Sequence, residues 1–454
     1  MHEESGGKDM NEITYDKQHI ELSLAEHLFW AEEYEKALEP NLRIGKRLYE
    51  LFDFSSALQF TERAVTCAEK TNNREKLVAS LNHKGQILQY SFKYPEAFDA
   101  HKRSLEVARE IGYKEGEAQA LHQIGRVYEF TNHLEDALQS YGQSLKIAKE
   151  IRCLEGEART LHNIGVVYQK MKKFKEAMYN YKQSLEIDRE IGNRIGEAYS
   201  LHQIAMVYEF TNCFTEAMYS YKQSLEIEKE IGDRQGEAST LHQIGRVYEK
   251  TNRSDEALKN YKQSLEIEKE IGNRSGEART LHQIGRVYEK TNRFDEALES
   301  YKQSLKIEKE IGNMEGEAIT LYQIGRAYEK TNRFDEALES YNQSLEIKKE
   351  IGNRAGEAVT LHQIGMVYED TNRFQEALES YNRSLEIAIE IGDRAGEAMT
   401  LHQIGMVYEE TNRFQEALES YNRSLEIERE AGNEAGAEIS NKAKAALQEK
   451  MRRE

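Results

Sequence analysis

The chain has 454 residues, of which 62 are basic and 81 are acidic, so its formal net charge is −19. This excess of acids argues against bulk attraction to nucleic acid or to an anionic membrane surface. The mean hydropathy is −0.80, no apolar run approaches the roughly 18 residues of a membrane span, and the first residues lack the basic start and apolar centre of a signal peptide. We therefore expect a cytoplasmic protein without a nucleic-acid partner and without membrane insertion.

The residue types favour helix almost everywhere. Tyr, Glu, Lys, Leu and Ala are common, and only 2 prolines occur, a composition that suits helices and rarely suits central β-strands. The three cysteines, Cys67, Cys153 and Cys213, sit at non-equivalent places, which argues against a disulfide framework and against a CxxC metal knuckle. The composition predicts an all-α chain with free thiols.

The N-terminal segments come first in the chain. Residues 1–17 are polar and are predicted to be disordered. Residues 18–36, which contain the single tryptophan Trp30, are predicted to form a divergent capping helix. A pheromone-sensing regulator would need a DNA-binding head, and these 36 residues are too few for a helix-turn-helix domain.

Residues 37–434 repeat with a strict 40-residue period. The period predicts ten tandem repeats, of which the first two are degenerate because Leu48 and Leu88 replace a tyrosine. Glycine recurs at 45, 85, 125, 165, 245, 285, 325, 365 and 405, with Ala205 in the missing place, and alanine recurs at 57, 97, 137, 177, 217, 257, 297, 337, 377 and 417. Such self-similarity is the signature of a repeat architecture.

Each repeat divides into two predicted helices, here called helix A and helix B. In the repeat that begins near Gly276, the apolar residues of helix A follow the i, i+3, i+4, i+7 spacing of one helix face. Asn292 is predicted to end helix A because asparagine tolerates the left-handed conformation, and Gly312 is predicted to end helix B in the same way. A glycine inside helix A costs about 0.5–1 kcal/mol relative to alanine, and we expect the close approach of Ala297 to Gly285 to compensate for it.

The pattern Leu281-x-x-Ile284-Gly285-x-x-Tyr288 followed by Ala297-x-x-x-Tyr301 resembles the tetratricopeptide repeat. The period of 40 rather than 34 residues is similar to the repeats of Pins-type scaffolds and of kinesin light chain. The resemblance implies an α-solenoid, a right-handed superhelix of about ten helix-turn-helix units in which helix A lines a concave groove. Residues 435–454 are predicted to form the terminal capping helix that such an array needs for solubility.

A histidine precedes the recurring glycine by three residues in most repeats, at 122, 162, 202, 242, 282, 362 and 402. Helices pack about 8–10 Å apart, whereas zinc holds its nitrogen ligands at about 2.0–2.1 Å, so two of these histidines cannot easily share an ion. A catalytic pair would need a nucleophile in contact and an orienting acid, and Ser304 lies in the helix seam instead. We expect the histidines to be structural or to form a groove wall, with no metal, no cofactor and no enzymatic activity.

A helical wheel places the positions −6, −2, +1 and +5 from the glycine on the face opposite the buried stripe. The −2 position is an amide in every complete repeat, and its side chain could bond a peptide backbone or the neighbouring repeat. The +1 and +5 positions are basic in the middle of the array and apolar or acidic towards the C-terminus. The candidate peptide-binding residues are His242, Gln243, Arg246, Lys250, Arg279, His282, Gln283, Arg286, Lys290, Gln323, Arg326, Lys330, Gln363, Met366, Gln403 and Met406.

This arrangement predicts a monomeric protein-interaction scaffold or adaptor. Its partner would be a protein or peptide with an acidic segment flanked by hydrophobic anchors. The opposing interpretation is that Glu249, Glu289 and Glu329 neutralise the arginines by i, i+3 pairing. An assembly chaperone or a peptide-sensing regulatory protein is the alternative function, and stable copurification rather than transient association of the partner would favour the scaffold.

Overall fold

The computed structural model describes residues 10–453, with side chains from residue 20 onward. These residues form 22 helices and contain no strand, so the predicted all-α class is confirmed. The helices are α1 Met10–Trp30, α2 Tyr34–Glu50, α3 Phe54–Lys70, α4 Arg74–Tyr90, α5 Tyr94–Glu110, α6 Lys114–Phe130, α7 Leu134–Glu150, α8 Leu154–Lys170, α9 Phe174–Glu190, α10 Arg194–Phe210, α11 Phe214–Ile231, α12 Arg234–Lys250, α13 Ser254–Glu270, α14 Arg274–Lys290, α15 Phe294–Glu310, α16 Met314–Lys330, α17 Phe334–Glu350, α18 Arg354–Asp370, α19 Phe374–Ile391, α20 Arg394–Glu410, α21 Phe414–Glu430 and α22 Glu434–Arg453.

The chain divides into two compact units, Met1–Gly232 and Asp233–Glu454. In the N-terminal unit, α1 precedes helix pairs that run from α2 and α3 to α10 and α11. In the C-terminal unit, the pairs run from α12 and α13 to α20 and α21, and α22 follows. Helix α1 begins within the segment predicted to be disordered, and the remainder of that prediction, residues 1–9, lies outside the described residues. None of the described helices combines the length and apolar character that crossing a bilayer requires.

The turns between helices use left-handed residues, as the sequence predicts. Asn292 between α14 and α15 has φ 57°, and Gly312 between α15 and α16 has φ 69°. Asparagine and glycine adopt this conformation at little cost. The next helix is then capped, because the Asn313 side chain accepts a hydrogen bond from the Gly316 amide at 3.1 Å. These short turns set α14, α15 and α16 side by side.

The recurring glycine of helix A faces a tyrosine rather than the expected alanine. A Cβ atom on Gly285 would lie 2.6 Å from Cε1 of Tyr301, closer than carbon atoms approach. Tyr301 is fully buried, so its ring could move aside only by displacing the side chains packed around it. The expectation that Ala297 makes this approach was wrong, because the three atoms nearest to such a Cβ all belong to the Tyr301 ring of helix B.

Two polar contacts hold each helix pair in register. The Tyr301 hydroxyl donates to Glu289 Oε2 at 2.9 Å, and Ser304 Oγ donates to the Ala278 carbonyl at 2.8 Å. The Ser304 contact joins helix B to the preceding helix A and recurs in most repeats. Buried hydroxyl groups need such partners, so these contacts favour one packing of the two helices.

Candidate functional site

The histidines lie between successive helices and not on the exposed face. His242 Nδ1 is 3.0 Å from Thr280 Oγ1 of the next helix A, and only 4% of the residue is exposed. His282 Nδ1 lies 3.2 Å from Thr320 Oγ1 in the same arrangement. A wheel drawn for a single helix could not place them there, because the next repeat covers that edge of the helix. They therefore hold repeats together.

The rings are held in their neutral form. Burial lowers the pKa of His242 to about 3, and the positive charges of Arg279 and Arg246 contribute to this shift. Burial likewise lowers the pKa of His282 to about 4. Each ring also packs against a buried tyrosine, with 5.2 Å between the ring centres of His242 and Tyr261. Across the described residues, no group of three His, Cys, Asp or Glu side chains is arranged to hold a metal ion.

The amides and arginines of the predicted groove lie one helical turn apart and bond each other. Arg246 Nη1 donates to Gln243 Oε1 at 2.8 Å. The equivalent distances are 3.1 Å from Arg286 to Gln283 and 3.2 Å from Arg326 to Gln323. In each pair, the amide nitrogen of the glutamine and the guanidinium group are hydrogen-bond donors. Helices α12, α14 and α16 thus carry the same donor pair at the same position.

The glutamates bridge between repeats rather than within one helix. Arg326 Nη2 lies 3.2 Å from Glu289 Oε1 of the preceding repeat, and Arg286 Nη2 lies 3.4 Å from Glu249 Oε1. The predicted i, i+3 pairing of Arg286 with Glu289 is replaced by these contacts, because the next helix brings its arginine to the glutamate. Arg286 and Arg326 are therefore partly neutralised by glutamates of the preceding repeat.

The remaining basic residues lie at the two ends of these helices. Lys250, Lys290 and Lys330 are exposed at the C-terminal ends of α12, α14 and α16, and Arg279 is exposed in the first half of α14. Lys290 Nζ donates to Asn252 Oδ1 of the preceding repeat at 2.7 Å. Basic residues thus stand near both ends of these helices, beside the arginine and glutamate contacts.

The C-terminal part of the predicted groove is less polar. Met366 is half-buried, and Met406 is 38% exposed. Gln363 Nε2 donates to Glu329 Oε2 of the preceding repeat at 2.8 Å, so this amide bonds the neighbouring repeat. Gln403 is half-buried on α20. All the predicted site residues thus lie on A helices of the C-terminal unit, and the two histidines among them are covered by the next repeat.

Sequence reasoning missed a buried lysine in the same unit. Lys348 is 6% exposed; its Nζ donates to Thr360 Oγ1 at 2.7 Å and lies 4.6 Å from the centre of the Tyr322 ring. Burial lowers the pKa of Lys348 to about 8. Tyr322 is the residue that interrupts the histidine series, and Lys348 stands where Glu268 and Glu308 stand in earlier repeats. The sequence contains two departures from the repeat that indicate this site. Tyr322 stands where the preceding repeat has His282, and Lys348 stands where it has Glu308.

Comparisons with known proteins agree with this architecture. The sequence model of the tetratricopeptide repeat family matches residues 76–150, 156–230, 196–270, 236–310, 276–350 and 356–430. A search of curated proteins found no match.

Solved structures with a similar fold include the following three proteins. A signal transduction ATPase of Pyrococcus horikoshii with a tetratricopeptide repeat sensor matches with a TM-score of 0.59 and 14% identity, over 80% of this chain and 54% of that chain. The apo form of the quorum sensor NprR from B. thuringiensis matches with a TM-score of 0.51 and 17% identity, over 78% of this chain and 99% of that chain. Aspartyl phosphate phosphatase F from Bacillus subtilis matches with a TM-score of 0.50 and 13% identity, over 77% of this chain and 93% of that chain. At these identities the likeness concerns the fold alone.

Proposed function

Because the chain belongs to the tetratricopeptide repeat family, we propose that it is a protein-interaction scaffold that binds an extended segment of a partner along the A helices of its C-terminal unit. The observation that carries the proposal is the recurrence of one donor pair, Gln243 with Arg246, on three successive A helices. A peptide backbone offers carbonyl acceptors at regular intervals, so regularly placed donors suit it without reading its side chains.

The preferred partner segment is acidic at its centre. Lys250, Lys290, Lys330 and Arg279 are exposed on α12, α14 and α16, and each guanidinium group has five N–H donors. The methionines Met366 and Met406 follow towards the C-terminus, and their flexible side chains suit apolar anchors of irregular shape. Electrostatic attraction of this kind weakens with added salt.

The test replaces Arg246, Arg286 and Arg326 with methionine. Met366 and Met406 already occupy this position in later repeats, so the variant retains a residue that the repeat accepts. Labelled twelve-residue peptides with four central glutamates and flanking leucines are titrated by fluorescence polarisation at low and high salt. We expect at least about tenfold weaker binding by the variant at low salt, corresponding to the loss of one or more charge-assisted hydrogen bonds.

The matched control removes the same number of charges from helix B. Lys259, Lys306 and Lys349 are exposed on α13, α15 and α17, and their replacement with methionine should leave peptide binding within about twofold. Equal weakening by both triple variants would mean that net charge, and not the A-helix face, attracts the peptide. A pull-down from the native host, with wild type and both variants analysed by mass spectrometry, then identifies the partner.

A further inference from the structure

A cavity of about 360 Å³ lies in the N-terminal unit between α8, α9 and α10. Its floor contains Ser184 and Asp188, which are 1% and 3% exposed. Its mouth is formed by the exposed residues Arg159, Ile195 and Tyr199. None of these residues belongs to the face proposed above to bind a peptide.

The buried carboxylate of Asp188 lacks a full set of donors. Asn193 Nδ2 donates to Asp188 Oδ1 at 2.7 Å, and the side-chain Oδ1 of Asn193 caps α10 by accepting from the Gly196 amide at 3.1 Å. Ser184 Oγ lies 3.3 Å from Asp188 Oδ2 but only 2.9 Å from the Ala158 carbonyl. A hydroxyl has one hydrogen, and the nearer acceptor takes it. Asp188 Oδ2 therefore retains capacity for a donor from a ligand, which would offset the cost of burying this charge.

The walls of the cavity suit an aliphatic stem. Ile195 and Tyr199 are 55% and 52% exposed and offer apolar surface beside the entrance. The His162 ring lines the wall, and burial lowers its pKa to about 4, so the ring is uncharged at neutral pH. At the mouth, the guanidinium of Arg159 attracts an anion and repels a second cation.

The other repeats indicate what is special here. The position of Asp188 holds glutamate at 228, 268 and 308 and alanine at 148 and 388. Aspartate is one methylene shorter than glutamate, so the charge remains while space is left above it. The position of Tyr199 holds arginine at 279, isoleucine at 319 and valine at 359. This repeat thus combines a short, charged side chain at the floor, Asp188, with an aromatic side chain at the wall, Tyr199.

We propose that this cavity binds a small aliphatic ligand that carries a primary ammonium group at one end and a carboxylate at the other. The ammonium group donates to Asp188 at the floor, the stem lies against Ile195 and Tyr199, and the carboxylate accepts from Arg159 at the mouth. Both a free ω-amino acid and a C-terminal lysine of a peptide have this chemistry.

Isothermal titration of the full chain tests the proposal with four probes. We expect 6-aminohexanoate or Nα-acetyl-lysine to bind at least about tenfold more tightly than hexylamine or hexanoate, each of which lacks one charged end. Tighter binding of Nα-acetyl-lysine would identify a peptide C-terminus as the source, and tighter binding of 6-aminohexanoate a free ligand. Absence of binding by both zwitterions in the millimolar range, or equal binding of all four probes, would overturn the proposal.

Variants at the floor locate the site. Asp188→Ala and Asp188→Glu introduce residues that equivalent positions already hold, so circular dichroism should be unchanged. Each should weaken binding at least about tenfold, the first by removing the charge and the second by filling the space. Arg159→Gln should abolish the preference for 6-aminohexanoate over hexylamine. Glu268→Ala, the equivalent change in another repeat, should leave binding unaltered, and wild-type affinity in Asp188→Ala would refute the assignment.

Discussion

Arg326 pairs with Glu289 of the preceding repeat, and not with Glu329 one turn further along its own helix. The other oxygen of the Glu289 carboxylate accepts a hydrogen bond from the Tyr301 hydroxyl at 2.9 Å. One carboxylate thus links helix A to helix B of its own repeat and to helix A of the next. Because each repeat is stabilised largely by its nearest neighbours, this carboxylate contributes to stability as well as to the charge of the exposed face.

Replacing Glu289 with alanine should destabilise the C-terminal unit. The substitution leaves the buried Tyr301 hydroxyl without its acceptor, which costs about 1–3 kcal/mol in the free energy of unfolding. Glu289→Gln retains an acceptor oxygen and should cost less than half as much. Urea unfolding followed by circular dichroism measures both changes. Glu299→Ala, at an exposed position on α15, is the control and should stay within about 0.5 kcal/mol.

Adding a methyl group to Gly285 should also destabilise the repeat. The new Cβ would lie 2.6 Å from the Tyr301 ring, and overpacking of this kind costs about 1–3 kcal/mol, partly offset by the better helix propensity of alanine. We expect a net loss of about 1 kcal/mol for Gly285→Ala. A double-mutant cycle with Tyr301→Ala checks the cause, since strictly additive effects would mean that the ring is not what the methyl group meets.

Acidification should weaken the fold through the buried histidines. Their folded pKa values are depressed, with His242 at about 3 and His362 at about 4, because burial disfavours the charged ring. An unfolded histidine binds its proton near pH 6.5, so their contribution to stability is complete above that pH and is lost as pH falls towards 4 and 3. We expect the midpoint temperature of thermal unfolding to decrease as the pH is lowered from 7 to 5.

Nitrogen chemical shifts of the imidazole rings provide the direct measurement. The signals of His242, His282 and His362 should remain those of neutral rings at pH 5. His242→Tyr, which introduces the residue found at Tyr322, should reduce the pH dependence of the unfolding midpoint. Titration of the His242 signal with a midpoint near 6.5 would contradict the burial argument.

Lys348→Met should stabilise the protein at neutral pH. Burial lowers the pKa of Lys348 to about 8, so the charged side chain destabilises the folded state at pH 7. Methionine has a similar length and carries no charge. A gain on the order of 1–3 kcal/mol follows from the size of the shift. The wild type recovers stability as pH rises from 8 to 10.5, so thermal unfolding at pH 7 and pH 10 should show the advantage of Lys348→Met shrinking. An equal advantage at both pH values would contradict this account.

The helices and their turns could be predicted from the residues alone. Apolar spacing, Asn292 and Gly312 act within a few neighbouring residues, so the local pattern already contains the reason for each helix and each turn. These signals recur every 40 residues, so each repeat independently supports the same assignment of helices and turns. The same locality allowed Gln243, Arg246 and their equivalents to be assigned to one side of helix A.

Contacts between helices decided the rest. The partner of Gly285 proved to be Tyr301 because ring placement depends on how helix B packs, and a wheel for one helix carries no such information. His242 became buried because the next repeat covers it, and Arg326 met Glu289 because successive A helices lie side by side. The cavity above Asp188 likewise exists only where three helices meet. Each of these depends on residues brought together across a turn or a repeat, which spacing within one helix cannot determine.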